Sequence, residues 1–172
     1  MKRTTGTLQG FTMVELVVYI ALLTVITVLA IQSTLSMTRA FADLRVSRDL
    51  NSSATALLER MSRDMRSANS VDTAQSTLGS HPGRLTLNTT DSGGSATTVE
   101  FYVENSLVKI RENGVAQGSI MSSNTTIDSF IVRQLTNAST EAVKVEATIT
   151  ATRGDLSKTR NFYTTIVLRG SY

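Results

Sequence analysis

Apolar residues fall along this chain in three regimes. From Phe11 to Ile31 they run almost unbroken, with Glu15 as the one charge and neither Gly nor Pro to interrupt them. At about 1.5 Å per residue, a helix over that stretch is roughly 31 Å long, enough to span the hydrocarbon core of a bilayer. Beyond Ile31 the apolar positions thin to steps of mainly three or four, through Leu35, Met37, Phe41, Leu44, Leu50, Ala54, Leu57, Leu58, Met61, Met65 and Ala68. That spacing is the mark of an amphipathic helix. No Gly or Pro stands between Phe11 and Leu78. One helix is therefore predicted from about Phe11 to about Asn69, close to 90 Å at ideal rise. It keeps no strict heptad, which favours a spine half-buried against a domain over a coiled coil.

After the loop "SVDTAQSTLGSHPGR" the period changes to two. "RLTLN" sets Leu85 and Leu87 on one face, and "DSGGS" reads as a turn. "TTVEFYVE" alternates Val99, Phe101 and Val103 against Glu100, Tyr102 and Glu104. Glu104–Asn105 is expected to turn the chain into "SLVKIRE", and Asn113–Gly114 marks a second tight turn. "SFIVRQL" follows a Ser/Asn/Thr-rich loop. "AVKVEATIT" opposes Val143, Val145, Ala147 and Ile149 to Lys144, Glu146, Thr148 and Thr150. Arg153–Gly154–Asp155 is a turn before "RNFYTTIVLRG". This pattern predicts about six antiparallel strands with one dry and one wet face, the dry face lying on the later half of the helix. The fold class is α+β.

Charge and composition narrow the function. Cysteine is absent, which excludes a disulfide framework and thiolate metal sites. The formal charge is +3, but Lys2 and Arg3 supply two of those charges. From Arg39 to Asp72 six arginines face five acids, and from Arg84 onward nine bases face eight acids. By this count no basic stripe tracks a phosphate backbone, and nucleic acid is disfavoured as a partner. Lys2 and Arg3 ahead of the apolar run set the topology, with the N-terminus cytoplasmic and the rest outside.

Glu15 is the position that needs explaining, because a carboxylate at the bilayer centre costs about 2.5–3.5 kcal/mol on insertion scales. An ordinary secretory signal, cut after "VLA" at Val28–Ala30, is one alternative; the run is longer than a signal core and contains an acid. The plainer role for Glu15 is to sit at the positive end of its helix near the membrane surface. The junction offers a sharper one. "KRTTGTLQG" is a short, positive, polar leader, and Gly10, Phe11, Thr12, Met13, Val14, Glu15 and Leu16 follow in order. This stretch resembles the prepilin signal of type IV pilins and type II secretion pseudopilins. The resemblance implies cleavage between Gly10 and Phe11 by a prepilin peptidase and N-methylation of Phe11 by the same enzyme family. It also implies pairing of Glu15 with the new amine, within a subunit or between neighbours. Gly10 suits the residue before the cut because it lets a protease approach the backbone. Many major pilins carry a Gly or Pro within the apolar helix. Here Thr24, Thr27 and Gln32 stand instead, open to contacts with neighbouring helices, which leans toward a minor subunit.

The resemblance divides the chain into a leader at 1–10, a transmembrane and assembly helix at 11–31, an extracytoplasmic amphipathic helix at 32–70 and an antiparallel β head at 71–172. The whole is pilin-like. The ending Phe162, Thr164, Thr165, Leu168 and Arg169 is similar to the minor pseudopilin J class. The implied location is a bacterial cytoplasmic membrane, crossed once. The implied partners are the prepilin peptidase/methyltransferase, other pilin or pseudopilin subunits, an assembly platform in the membrane, and the lipid bilayer.

No catalytic set stands out. His81 is a lone loop histidine, expected to be surface decoration. Asp128 and Asp155 lack the acid spacing of a calcium loop, and no metal or cofactor is expected. Asn88-Thr89-Thr90, Asn124-Thr125-Thr126 and Asn137-Ala138-Ser139 match a glycosylation acceptor but read as polar loops. The chain is thus expected to be a structural subunit, a substrate rather than an enzyme. A competence DNA-uptake pilin and a non-assembling anchored head are the alternatives.

Overall fold

The structure is a computed structural model, and it describes residues 10–137 and 140–169. Lys2, Arg3 and the rest of the leader before Gly10, together with Ala138 and Ser139, lie outside the described residues. The chain is α+β, with one long N-terminal helix followed by antiparallel sheets. Contacts divide it into two compact units, Met1–Phe41 and Ala42–Tyr172.

Helix α1 runs Met13–Ser67, within two residues of the predicted ends. Thr12 caps it. The Thr12 hydroxyl accepts from the Glu15 N–H at 3.3 Å, and the Thr12 carbonyl accepts from the Leu16 N–H at 3.1 Å. These bonds satisfy donors that every helix start leaves open. In the first unit the helix is long and apolar enough to cross a membrane, and none of its most apolar stretch is buried. Its threonines need no outside partner. The hydroxyls of Thr24, Thr27, Thr34 and Thr38 each donate to the carbonyl four residues back, at 2.7–2.9 Å. The expected contacts of Thr24 and Thr27 with neighbouring helices are therefore not required to satisfy them.

In the second unit the helix turns one face inward. Val46, Leu50, Ala54, Leu57, Met61 and Met65 are buried, and from Ala54 onward they join one core with both sheets. Each Leu or Met so buried contributes about 1.5–3 kcal/mol. Along this stretch Arg60 pairs with Asp64 one turn on, at 2.7 Å, and also reaches Glu112.

The head holds eight strands in two sheets rather than about six in one. The first is a meander of β1 (Ser70–Val71), β2 (Arg84–Thr90), β3 (Ala96–Glu104), β4 (Leu107–Glu112) and β5 (Val115–Ser119). The second is β6 (Thr125–Asn137), β7 (Thr140–Arg153) and β8 (Leu156–Val167). Every pairing is antiparallel. β1 has two residues and β5 has every residue exposed, so neither shows an apolar alternation in sequence. β5 forms because Asn113 and Gly114, both at positive φ, fold the chain back onto β4. The turn before it lies at Asn105–Ser106, one residue beyond its expected place, with both residues at positive φ as a two-residue hairpin loop demands.

The outer face of the first sheet is not wholly wet. Thr86 is buried there, its N–H donating to Ser76 Oγ at 3.0 Å beneath the 72–77 segment. Tyr102, expected to face solvent, is also buried, with the Arg111 guanidinium 4.5 Å above its ring. On β7 the alternation holds as read, with Val143, Val145, Ala147 and Ile149 buried.

The free edge of β6 is closed by loops. Gly79 N–H donates to Val132 O at 2.8 Å, Gly83 N–H to Phe130 O at 2.9 Å, and Ile127 N–H to Ser106 O at 2.8 Å. His81 belongs to this seam, its Nδ1 accepting from Phe130 N–H at 3.0 Å. The ring is exposed, but it terminates an edge donor and is not mere decoration. Closing an edge this way removes a template for unwanted strand pairing. Asn88 also departs from expectation. It lies within β2, half-buried, with Nδ2 donating to Ser70 Oγ at 3.3 Å, not in a polar loop.

Candidate functional site

The site read from the sequence lies where the chain enters α1. Gly10, Phe11 and Thr12 precede the helix, so the Gly10–Phe11 peptide bond lies in non-helical backbone. A bond so placed is open to a protease in a way that a bond inside a hydrogen-bonded turn is not. Gly10 is exposed, and a Cβ built there would meet nothing within 4 Å. Packing among the described residues thus gives no reason for glycine at this position.

Glu15 is exposed in the first turn of the helix. Two features hold it. Its own N–H is bound by the Thr12 cap, and one carboxylate oxygen, Oε1, accepts from the Tyr19 hydroxyl at 3.3 Å. Tyr19 in turn meets Phe11, ring centroids 5.9 Å apart and planes at 77°, an edge-to-face pair. Glu15 and Tyr19, four apart, share one face of the helix, and Phe11, just ahead of the helix, lays its ring against Tyr19 on that side. The structure therefore joins two of the sequence-derived site residues, Phe11 and Glu15, through a third that the sequence reading did not single out. Signals for the Thr12 cap and for Tyr19 were present. Thr-x-x-Glu is the spacing of a capping box, and a tyrosine four residues after a lone membrane carboxylate is a donor within reach.

Elsewhere the charges sort by face. Most acids of the second unit are spent internally: Asp43 on Lys158 at 2.6 Å, Asp49 on Arg153 at 3.6 Å, Glu100 on Arg84 and Arg111, and Glu146 on Lys144 and Arg133. Glu104 pairs with Lys109, whose hydrogen bond holds the Glu104 carboxyl below the ordinary carboxylate range. Arg63, Arg66 and Arg169 make no ion pair among the described residues. They line an open groove of about 780 Å³ with Glu59, Ser62 and Ser67. A balanced count therefore conceals an unbalanced face. Among the described residues no three His, Cys, Asp or Glu side chains cluster to hold a metal ion; Asp128 instead accepts from the Thr150 hydroxyl at 2.5 Å.

Comparison with protein-family models, with curated proteins and with solved structures returned no match.

Proposed function

We propose that this chain is the precursor of a structural subunit, a minor pilin or pseudopilin, of a type IV pilus or type II secretion-like filament. In this reading a prepilin peptidase cuts after Gly10 and its methyltransferase activity modifies the new amine of Phe11. The apolar helix holds the subunit in the cytoplasmic membrane, N-terminus inward, until an assembly platform passes it into the filament. The observation that carries the reading is Glu15, an exposed carboxylate four residues after Phe11 in a segment otherwise apolar. Cleavage creates a cation at Phe11 where none existed. An ion pair in a medium of low dielectric offsets part of the cost of burying each charge, and it penalises any register that separates them. A carboxylate retained at that cost thus becomes the feature that sets how subunits align. The exposed, non-helical Gly10–Phe11 bond and the open space beside Gly10 among the described residues support the same reading.

Mass spectrometry of the membrane-extracted protein tests the first half. The expected species begins at N-methylated Phe11; an intact Met1 or a start at Ile31 overturns the reading. Glu15→Ala tests the second half: the variant is cleaved as usual but fails to enter filaments. A plain anchored head does not respond to that change. One observation favours a second reading, a DNA-uptake pilin: Arg63, Arg66 and Arg169, without an ion pair among the described residues, line one groove. Duplex binding that weakens steeply with salt and disappears when all three become Gln would support it.

A further inference from the structure

We infer that Tyr19 is a positioning residue acting through Glu15, an inference that rests on the filament-subunit reading. The Tyr19 hydroxyl donates to Glu15 Oε1 at 3.3 Å, and the Tyr19 ring meets Phe11 edge-to-face at 5.9 Å. A carboxylate has two oxygens and about four acceptor sites. Tyr19 occupies one oxygen and leaves Oε2 for an ammonium, so the hydroxyl completes the site and does not compete for it. In an apolar medium donors are scarce, and among the described residues it is the Tyr19 hydroxyl that donates to the Glu15 carboxylate. The phenol holds the carboxylate on the side of the helix where its own ring meets Phe11. The cation formed by leader removal therefore emerges beside an acceptor already in place. Preorganisation of this kind reduces the ordering cost of the encounter.

A tyrosine near a bilayer surface has a plainer use, as a ring anchored at the interface. That use is indifferent to Glu15, and this separates the two roles. The test uses the full-length chain in its native host and after reconstitution in lipid bilayers. Four forms are compared: wild type, Tyr19→Phe, Glu15→Gln and the double variant. Tyr19→Phe keeps the ring and loses only the hydroxyl. The expected result is normal leader cleavage with incorporation reduced about threefold, the size of an average side-chain hydrogen bond between membrane helices. Tyr19→Trp, which retains an N–H donor on an aromatic ring, recovers part of that loss. Infrared difference spectra on chain labelled with ¹³C-glutamate provide a readout that a merely structural role does not move. Tyr19→Phe shifts a carboxylate band, and the shift vanishes in the Glu15→Gln background. If the band does not shift, or shifts equally without Glu15, the positioning role is wrong while the filament reading stands. If Glu15→Gln itself incorporates as well as wild type, the filament reading falls and takes this inference with it.

Discussion

Two glycines of the seam that closes the β6 edge should respond to substitution in opposite ways. Gly83 is buried, and its N–H donates to Phe130 O at 2.9 Å. A Cβ at Gly83 would stand 2.7 Å from that same carbonyl oxygen and 3.4 Å from its carbon. The obstacle is backbone, so no rotamer change relieves it; the loop must move away from β6. Movement weakens the Gly83–Phe130 bond and the neighbouring Phe130 N–H to His81 Nδ1 bond at 3.0 Å. Overpacking costs about 1–3 kcal/mol, and each of the two weakened hydrogen bonds about 1 kcal/mol, so Gly83→Ala should destabilise the head by about 3–5 kcal/mol. Gly79, four residues earlier, has nothing near its Cβ position, but its φ is +79°. There the cost is conformational, about 1–2 kcal/mol for alanine. Asparagine tolerates that region, so Gly79→Asn should recover most of the loss, whereas Gly83→Asn should be at least as harmful as alanine. Urea unfolding of the detergent-solubilised chain, followed by the β signal in circular dichroism, reads each as a lower midpoint at constant slope. A Gly83→Ala variant within about 0.5 kcal/mol of wild type, or an asparagine rescue at 83 but not at 79, would refute the steric argument.

Ser53 lies on the buried face of α1, where its hydroxyl accepts from Ser122 N–H at 3.1 Å and stands 3.1 Å from the buried Thr125 hydroxyl. Ser53→Ala should cost about 1 kcal/mol, because the unpaired N–H outweighs alanine's better helix propensity; an unchanged urea midpoint would count against this accounting. Glu146 predicts an acid effect. The hydrogen bond from Lys144 Nζ at 2.8 Å, aided by the charges of Lys144 and Arg133, holds its carboxyl below the ordinary carboxylate range. A carboxylate depressed in the folded state contributes stability above its unfolded value and loses it as pH falls through the folded one. Unfolding of Glu146→Gln should therefore depend less on pH below about 4.5 than wild type, and parallel acid profiles for the two would remove Glu146 from the account.

The sequence by itself determined the elements whose signal is local. A run of apolar residues without Gly or Pro can only satisfy its backbone in a bilayer as a helix, and α1 begins and ends within two residues of where the pattern placed it. Period-two alternation located β2, β3, β4 and β7, because side chains on a strand alternate faces whatever the strand packs against. The same locality marked Phe11 and Glu15 as neighbours four residues apart, which the structure joins through Tyr19. Tertiary structure decided the rest. That the strands divide into two sheets depends on which edges meet, and no single strand encodes its neighbour. β5 is a strand because β4 lies beside it, not because of its own residues. Tyr102 is buried by an arginine from the next strand and Thr86 by a segment ten residues earlier, so alternation alone assigned both to the wrong environment. Charge followed the same rule. Composition fixes how many acids and bases there are, but only packing decides which of them neutralise one another and which arginines are left facing solvent.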